Sequence, residues 1–155
     1  GTNMRAEITE IMIDKRDYMP LLLMADEQED MVEKYIDRGR LFVMTDSRHA
    51  VMAVCVVTDE DDGLAEIKNI AVDVPYRGLG YGHKMVKFVE TICRADGFAM
   101  LQVGTGETPS TVAFYRSCGF GISHRVSGFF TANYDHPIVE EGVLLCDMIY
   151  LRKQI

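Results

Sequence analysis

No apolar run in this 155-residue chain approaches the length needed to cross a bilayer. No N-terminal stretch carries the charged, apolar and small-residue regions of a secretory signal. A membrane partner is therefore not expected, and a cytoplasmic location is. Cysteine gives little: Cys55, Cys93, Cys118 and Cys146 are scattered, with no C-x-x-C pair and no histidine at ligand spacing. That scatter argues against a disulfide scaffold and a zinc module, and it fits reduced thiols with no bound metal. Basic residues are in deficit, 16 Lys and Arg against 24 Asp and Glu, for a net charge of −8. Without a basic stripe to neutralise phosphates, a nucleic-acid module is not expected; a cationic substrate suits the balance better. Linkers, internal repeats and low-complexity tracts are lacking too, so residues 1–155 read as one domain, long enough to bury a sizeable core. Gly1-Thr2-Asn3 before Met4 reads as an expression scar.

What is present is an alternation of strand-like and helix-like segments. Arg5 to Ile13 reads as a first strand, and Asp17 to Gly39 as a helical region. Strands over Arg40–Thr45 and Ala50–Thr58 flank a hairpin turn at Asp46 to His49. The acidic segment Asp59-Glu60-Asp61-Asp62-Gly63 turns into a strand from Leu64 to Val74. A helix follows from Gly80 to about Ala95, with Tyr81, Met85, Phe88, Val89 and Ile92 on one face. Met100–Thr105 is a short strand, Thr108–Cys118 the last helix, and Phe120–Val126 pairs with a closing strand from Val143 to Arg152. Asn133 to Gly142 between them reads as a loop. This order implies an α/β (α+β) domain with a mixed, twisted sheet.

The most informative stretch is Ile70 to Gly82, in which a β-type run stops at Pro75 and a turn containing Gly78, Gly80 and Gly82 opens a helix. Glycines let the backbone bend sharply and approach a ligand, while the free N–H groups and positive dipole end of the helix point the same way, so the turn is an anion cradle. A Walker loop is excluded because the turn runs into His83-Lys84-Met85 rather than Gly-Lys-Ser/Thr. A dinucleotide fingerprint fails as well, since its third glycine falls on His83 and no acidic residue ends the next strand-like run. What is left, Arg77-x-x-Gly80-x-Gly82, resembles the acyl-CoA pyrophosphate loop of the GNAT family of N-acetyltransferases. Downstream, the segment from Thr108 through Phe114-Tyr115 to Gly119-Phe120 is similar to that family's second signature, a helix ending Phe-Tyr, three residues, then Gly-Phe. The two cover roughly Ala65 to Ile122 in the right order.

The resemblance implies a GNAT-like mixed sheet of about six to seven strands with about four helices. It implies that the fourth and fifth strands splay at a bulge and that acetyl-CoA slots its pantetheine arm between them. Backbone N–H groups of Ile70, Ala71 and Val72 would hold the thioester and pantetheine, and those of Gly78, Leu79, Gly80, Tyr81, Gly82 and His83 the pyrophosphate, with Arg77 adding charge. His83 is the histidine at the mouth of the loop. Many members begin the last helix with an asparagine that contacts the cofactor; this chain has Thr108, with Ser110 nearby, and either hydroxyl is a candidate replacement.

Acetyl transfer to an amine requires a neutral nucleophile, a stabilised oxyanion and a proton for the leaving thiolate. The resemblance makes Tyr115 the donor to the sulfur and Glu66 the carboxylate that deprotonates the ammonium, directly or through water. Glu66 pairing with Lys68 or facing solvent at the strand start is the alternative, and packing is the alternative for Tyr115. The expected function is an N-acetyltransferase acting by direct attack in a ternary complex on a small, cationic primary amine. Asp59, Glu60, Asp61, Asp62, Asp135, Glu140 and Glu141 are expected at the acceptor mouth. A non-catalytic acyl-CoA-binding sensor or scaffold and a homodimer both stay open.

Overall fold

The computed structural model describes residues 5–155; the Gly1-Thr2-Asn3 segment lies outside the described residues. Nine strands and five α-helices alternate among them: β1 Glu7–Ile11, α1 Met19–Ala25, α2 Glu29–Glu33, β2 Arg40–Thr45, β3 Val51–Asp59, β4 Leu64–Val72, α3 Tyr81–Ala95, β5 Met100–Gly106, α4 Pro109–Ser117, β6 Gly121–Val126, α5 Phe129–Asn133, β7 Val139–Glu140, β8 Val143–Leu144 and β9 Met148–Gln154. Seven strands form one sheet in the order β1-β2-β3-β4-β5-β9-β6, and β7–β8 is a separate hairpin. Only the β4–β5 pair is parallel, which α3 makes possible by crossing over one face of the sheet.

That face carries the larger core, where Met85, Val86 and Val89 of α3 and Tyr115 of α4 meet Ala53, Cys55, Ile67 and Leu101 of the sheet. The opposite face is covered by α1 and the α2 region, whose Leu22, Val32 and Ile36 are completely buried against Leu41, Val43, Val54 and Val56. Cys55 and Cys93 are buried, Cys118 is half-buried and Cys146 exposed, all as free thiols.

Four expectations need correction. The helical region from Asp17 to Gly39 is a 3-10 turn, α1 and α2, interrupted at Asp26, which is extended at φ −143°. Its carboxylate accepts hydrogen bonds from the Tyr35 and Tyr134 hydroxyls, an arrangement a continuous helix would forbid. The strand expected to reach Val74 ends at Val72 because Asp73 accepts from the Val74 N–H at 2.8 Å and starts a 3-10 turn. The closing strand from Val143 is broken: Val143–Leu144 turns back on Val139–Glu140 through Glu141-Gly142, both at positive φ, the geometry of a tight two-residue hairpin. The expected loop at Asn133 to Gly142 thus contains a strand, and only from Met148 does the chain join the main sheet, between β5 and β6.

Candidate active site

β4 organises the site. In its antiparallel pairing with β3, Val56 faces Asn69 while Val57 faces Ile67, so Lys68 is an extra residue, a bulge. Side chains alternate along a strand, and one extra residue reverses the phase. Ile67, Ile70 and Val72 therefore pack on the α3 side, whereas Asn69 and Ala71 join Glu66 in facing α1 and α2. On its other edge β4 pairs with β5 only over Leu64–Ile67 against Met100–Val103. Beyond Ile67 the strands diverge, leaving the edge of β4 from Lys68 to Val72 without a partner strand.

A cavity of about 520 Å³ opens there, walled by β4 from Ile67 to Val72, by Val103, Gly104 and Thr105 of β5, by Thr111 and Tyr115 of α4, and by Arg77. Its rim carries Glu27, Glu140 and Glu141. An unpaired strand edge beside an open cavity fits a slender amide-bearing chain, which can complete the ladder as a strand would. At one end the Gly78 to His83 turn lines a further depression with Val72, Tyr76 and Phe114. Gly78 and Gly80 sit at φ 73° and 88°, the left-handed region glycine tolerates, and a Cβ at either would meet nothing within 4 Å. The space above the turn is thus open to an anion. The first α3 bond runs from the Lys84 N–H to the Gly80 carbonyl, so the preceding N–H groups are free of intrahelical partners. Arg77 donates from Nε to the Val72 carbonyl at 2.9 Å, leaving the rest of its guanidinium exposed. His83 is tied to Ser117 of α4 at 2.8 Å and stands edge-on to Phe114. Leu79 is exposed and lines neither space.

Tyr115 is buried between Phe114 and Phe120, with ring centroids 5.0 and 5.9 Å away. Burial pushes its hydroxyl well above the ordinary tyrosine range, so at neutral pH it is protonated, as an unperturbed tyrosine also is. Glu66, also buried, does not border this cavity. It lines a second one of about 210 Å³ whose walls include Asp26, Tyr35, Phe129, Tyr134 and Tyr150. The two cavities share Ile67, Lys68 and Gly104. Glu66 accepts from Gln102 Nε2 at 2.5 Å and pairs with Lys68 at 2.6 Å, while Arg152 donates to Gln102 at 2.7 Å.

Thr108 and Ser110 border neither cavity. Thr108, at the start of α4, makes no side-chain cap; it donates to Thr111 at 2.7 Å. Thr111 and Thr105, one helical turn and one strand away, are the threonines that line the cavity wall, beside Tyr115. Of the carboxylates expected at the acceptor mouth, Glu140 and Glu141 line the first cavity. Asp59, Glu60, Asp61 and Asp62 line neither cavity, and Glu60 is engaged by Arg38 at 2.7 Å. Asp135 is held by His136 at 2.6 Å. Sequence reading missed Asp26, Tyr35, Asn69 and Tyr134; the one visible signal was an asparagine beside the charged Glu66 and Lys68 in the middle of a strand. Among the described residues no three His, Cys, Asp or Glu side chains gather as a metal site, and no helix is long and apolar enough to cross a membrane.

A strand bulge, a splay between the fourth and fifth strands and a glycine cradle at the head of the crossover helix define an acyl-CoA-handling α/β domain. Residues 7–120 match the model of the acetyltransferase (GNAT) family, and the chain belongs to that family. It is 30% identical over 132 residues, 84% of each chain, to the uncharacterized N-acetyltransferase YvbK of Bacillus subtilis. Among solved structures it is similar to an IAA acetyltransferase from Bacillus cereus (31% identity, TM-score 0.90, 97% of this chain and 100% of that one). It is likewise similar to a GNAT acetyltransferase from Elizabethkingia anophelis with acetyl-CoA bound (28%, 0.91, 97% and 98%) and to a Bacillus subtilis acetyltransferase in complex with CoA (28%, 0.86, 99% and 99%). The protein is an acetyl-CoA-dependent acyltransferase, and the acetyl-CoA- and CoA-bound relatives support acetyl-CoA as its cosubstrate.

Proposed function

We propose that the protein transfers the acetyl group of acetyl-CoA to the primary amine of a small cationic molecule, by direct attack within a ternary complex. The observation that carries this reading is the partnerless edge of β4 opening into a cavity with Tyr115 on its wall and Glu66 immediately behind it. The N–H groups along Ile70 to Val72 hold the thioester arm, those of the Gly78 to His83 turn hold the pyrophosphate, and Arg77 adds charge. Tyr115 donates a hydrogen bond to the sulfur as the C–N bond forms and the C–S bond breaks, and what supports that role is its place on the wall of the first cavity. Glu66 takes the surplus proton of the amine through water, since Gln102 and Lys68 already occupy its two oxygens.

A cationic acceptor is favoured by Glu27, Glu140 and Glu141 on the rim of the first cavity and by Asp26 and Glu66 in the lining of the second. The test is CoA release with spermidine, an aminoglycoside, lysine and glutamate at low and moderate ionic strength. Basic amines should react faster, and salt should narrow the difference. Equal rates, or a preference for glutamate, would remove electrostatic selection. Tight acetyl-CoA binding with no CoA release for any amine would make the chain an acyl-CoA-binding domain without turnover.

A further inference from the structure

Asn69 is 4% exposed, sits in the wall of the first cavity, and carries a buried side-chain oxygen, Oδ1, with no hydrogen-bond partner. The amide orientation is fixed by chemistry. Nδ2 lies 2.9 Å from the Leu22 carbonyl, which can only accept, and 3.0 Å from the Tyr35 hydroxyl, whose hydrogen is committed to Asp26 Oδ2 at 3.0 Å. Tyr134 donates to the other oxygen of Asp26 at 2.6 Å, so the carboxylate is locked from both sides. Both amide hydrogens of Asn69 are therefore used, and the missing partner must be a donor. A buried acceptor left empty is costly, and such groups in folded proteins have a reason.

The bulge at Lys68 puts Asn69 on the same face of β4 as Glu66, the α1 and α2 side, whereas Tyr115 approaches from the α3 and α4 side. An amine entering from the Glu66 side carries an N–H to give and a lone pair to point at the cleft. We propose that Asn69 Oδ1 accepts a hydrogen bond from the nucleophilic nitrogen of the acceptor, and that Tyr35 and Asp26 are positioning residues that hold the amide in this orientation. The inference rests on amine acetylation as the reaction and names the group that holds the amine.

The test uses n-propylamine, a minimal acceptor with one amine and no other polar group, alongside spermidine. Asn69→Ala should lower kcat/KM for both amines by about tenfold to a hundredfold, the range for losing one hydrogen bond to a charged or reacting group, with the dissociation constant of acetyl-CoA unchanged. Tyr35→Phe retains the Leu22 tie and is the variant to use if Asn69→Ala does not fold; it should lower kcat/KM severalfold by freeing the amide, again without affecting acetyl-CoA. Either folded variant acetylating both amines at the parent rate would overturn the proposal and leave Oδ1 as a solvent-holding group in the seam between α1 and β4. If the parent protein acetylates neither these nor the other amines tried, the amine reading itself has failed, an outcome distinct from an unaltered variant of an active parent.

Discussion

Replacing Gly80 by aspartate separates the anion cradle from every other feature of the fold. Gly80 has φ 88°, and a Cβ there would touch nothing within 4 Å, so the change introduces backbone strain but no collision. Strain of about 1–2 kcal/mol for a non-glycine residue in the left-handed region lowers Tm by roughly 2–8 °C in a chain of this size. Acetyl-CoA at a hundred times its Kd should stabilise the parent by about 2.7 kcal/mol, raising Tm by about 5–10 °C. A carboxylate about 5 Å from two phosphate charges opposes that binding by about 2 kcal/mol at the dielectric of water and about 7 kcal/mol at an effective dielectric of 20. At 5 Å it also fills the space the pyrophosphate needs, so the thermal shift should vanish. Gly80→Ala carries the same strain without the charge and should retain part of it. Thermal melts with and without acetyl-CoA, with Kd by calorimetry, read all of these numbers. A folded Gly80→Asp protein showing the parent's shift would refute the assignment of the pyrophosphate to this turn.

The other expectations reach the remaining parts of the molecule. Tyr115→Phe preserves the ring packing and removes only the hydroxyl; turnover should fall about tenfold to a thousandfold with acetyl-CoA affinity unchanged, and an unaltered rate with chemistry limiting would exclude a role at the sulfur. Leu22→Ala, at a completely buried position that anchors α1 on β3 and β4, should cost about 2–5 kcal/mol in chemical denaturation, more than any exposed-site change. His136 bonds Asp135 and Glu27 and so ties the segment after α5 to the α1–α2 linker; these carboxylates, Asp135 foremost, raise its pKa above the ordinary 6.5. Its stabilising contribution is therefore complete below about pH 6.5 and disappears as pH rises through the higher folded value. His136→Gln should flatten the pH dependence of stability just above 6.5 and leave it unaltered in acid.

Sequence alone determined what depends on neighbours in the chain. The glycine turn after Pro75 through Gly82, the amphipathic α3, the β2–β3 hairpin and the Phe114-Tyr115 helix end follow from proline, glycine and apolar spacing, and the structure keeps all four. Strand count and the splay beside β4 followed once those motifs were matched to a family. Three features were set by tertiary structure. Lys68 becomes a bulge only because β3 offers one fewer residue opposite it, and strict alternation read along β4 would have sent Glu66 and Asn69 to opposite faces. Asp26 interrupts a helical pattern because Tyr35 and Tyr134, the latter 108 residues away, reach its carboxylate. Glu140 and Glu141 reach the first cavity, and Asp59 to Asp62 do not, because a tight turn folds the β7–β8 hairpin back over the site while the β3–β4 turn lies at the far end of the strand. Local propensity acts over a few residues; pairing register and hydrogen bonds between distant segments are fixed only when the whole sheet assembles, and it was those that brought Glu66, Asn69, Glu140 and Glu141 to the two cavities.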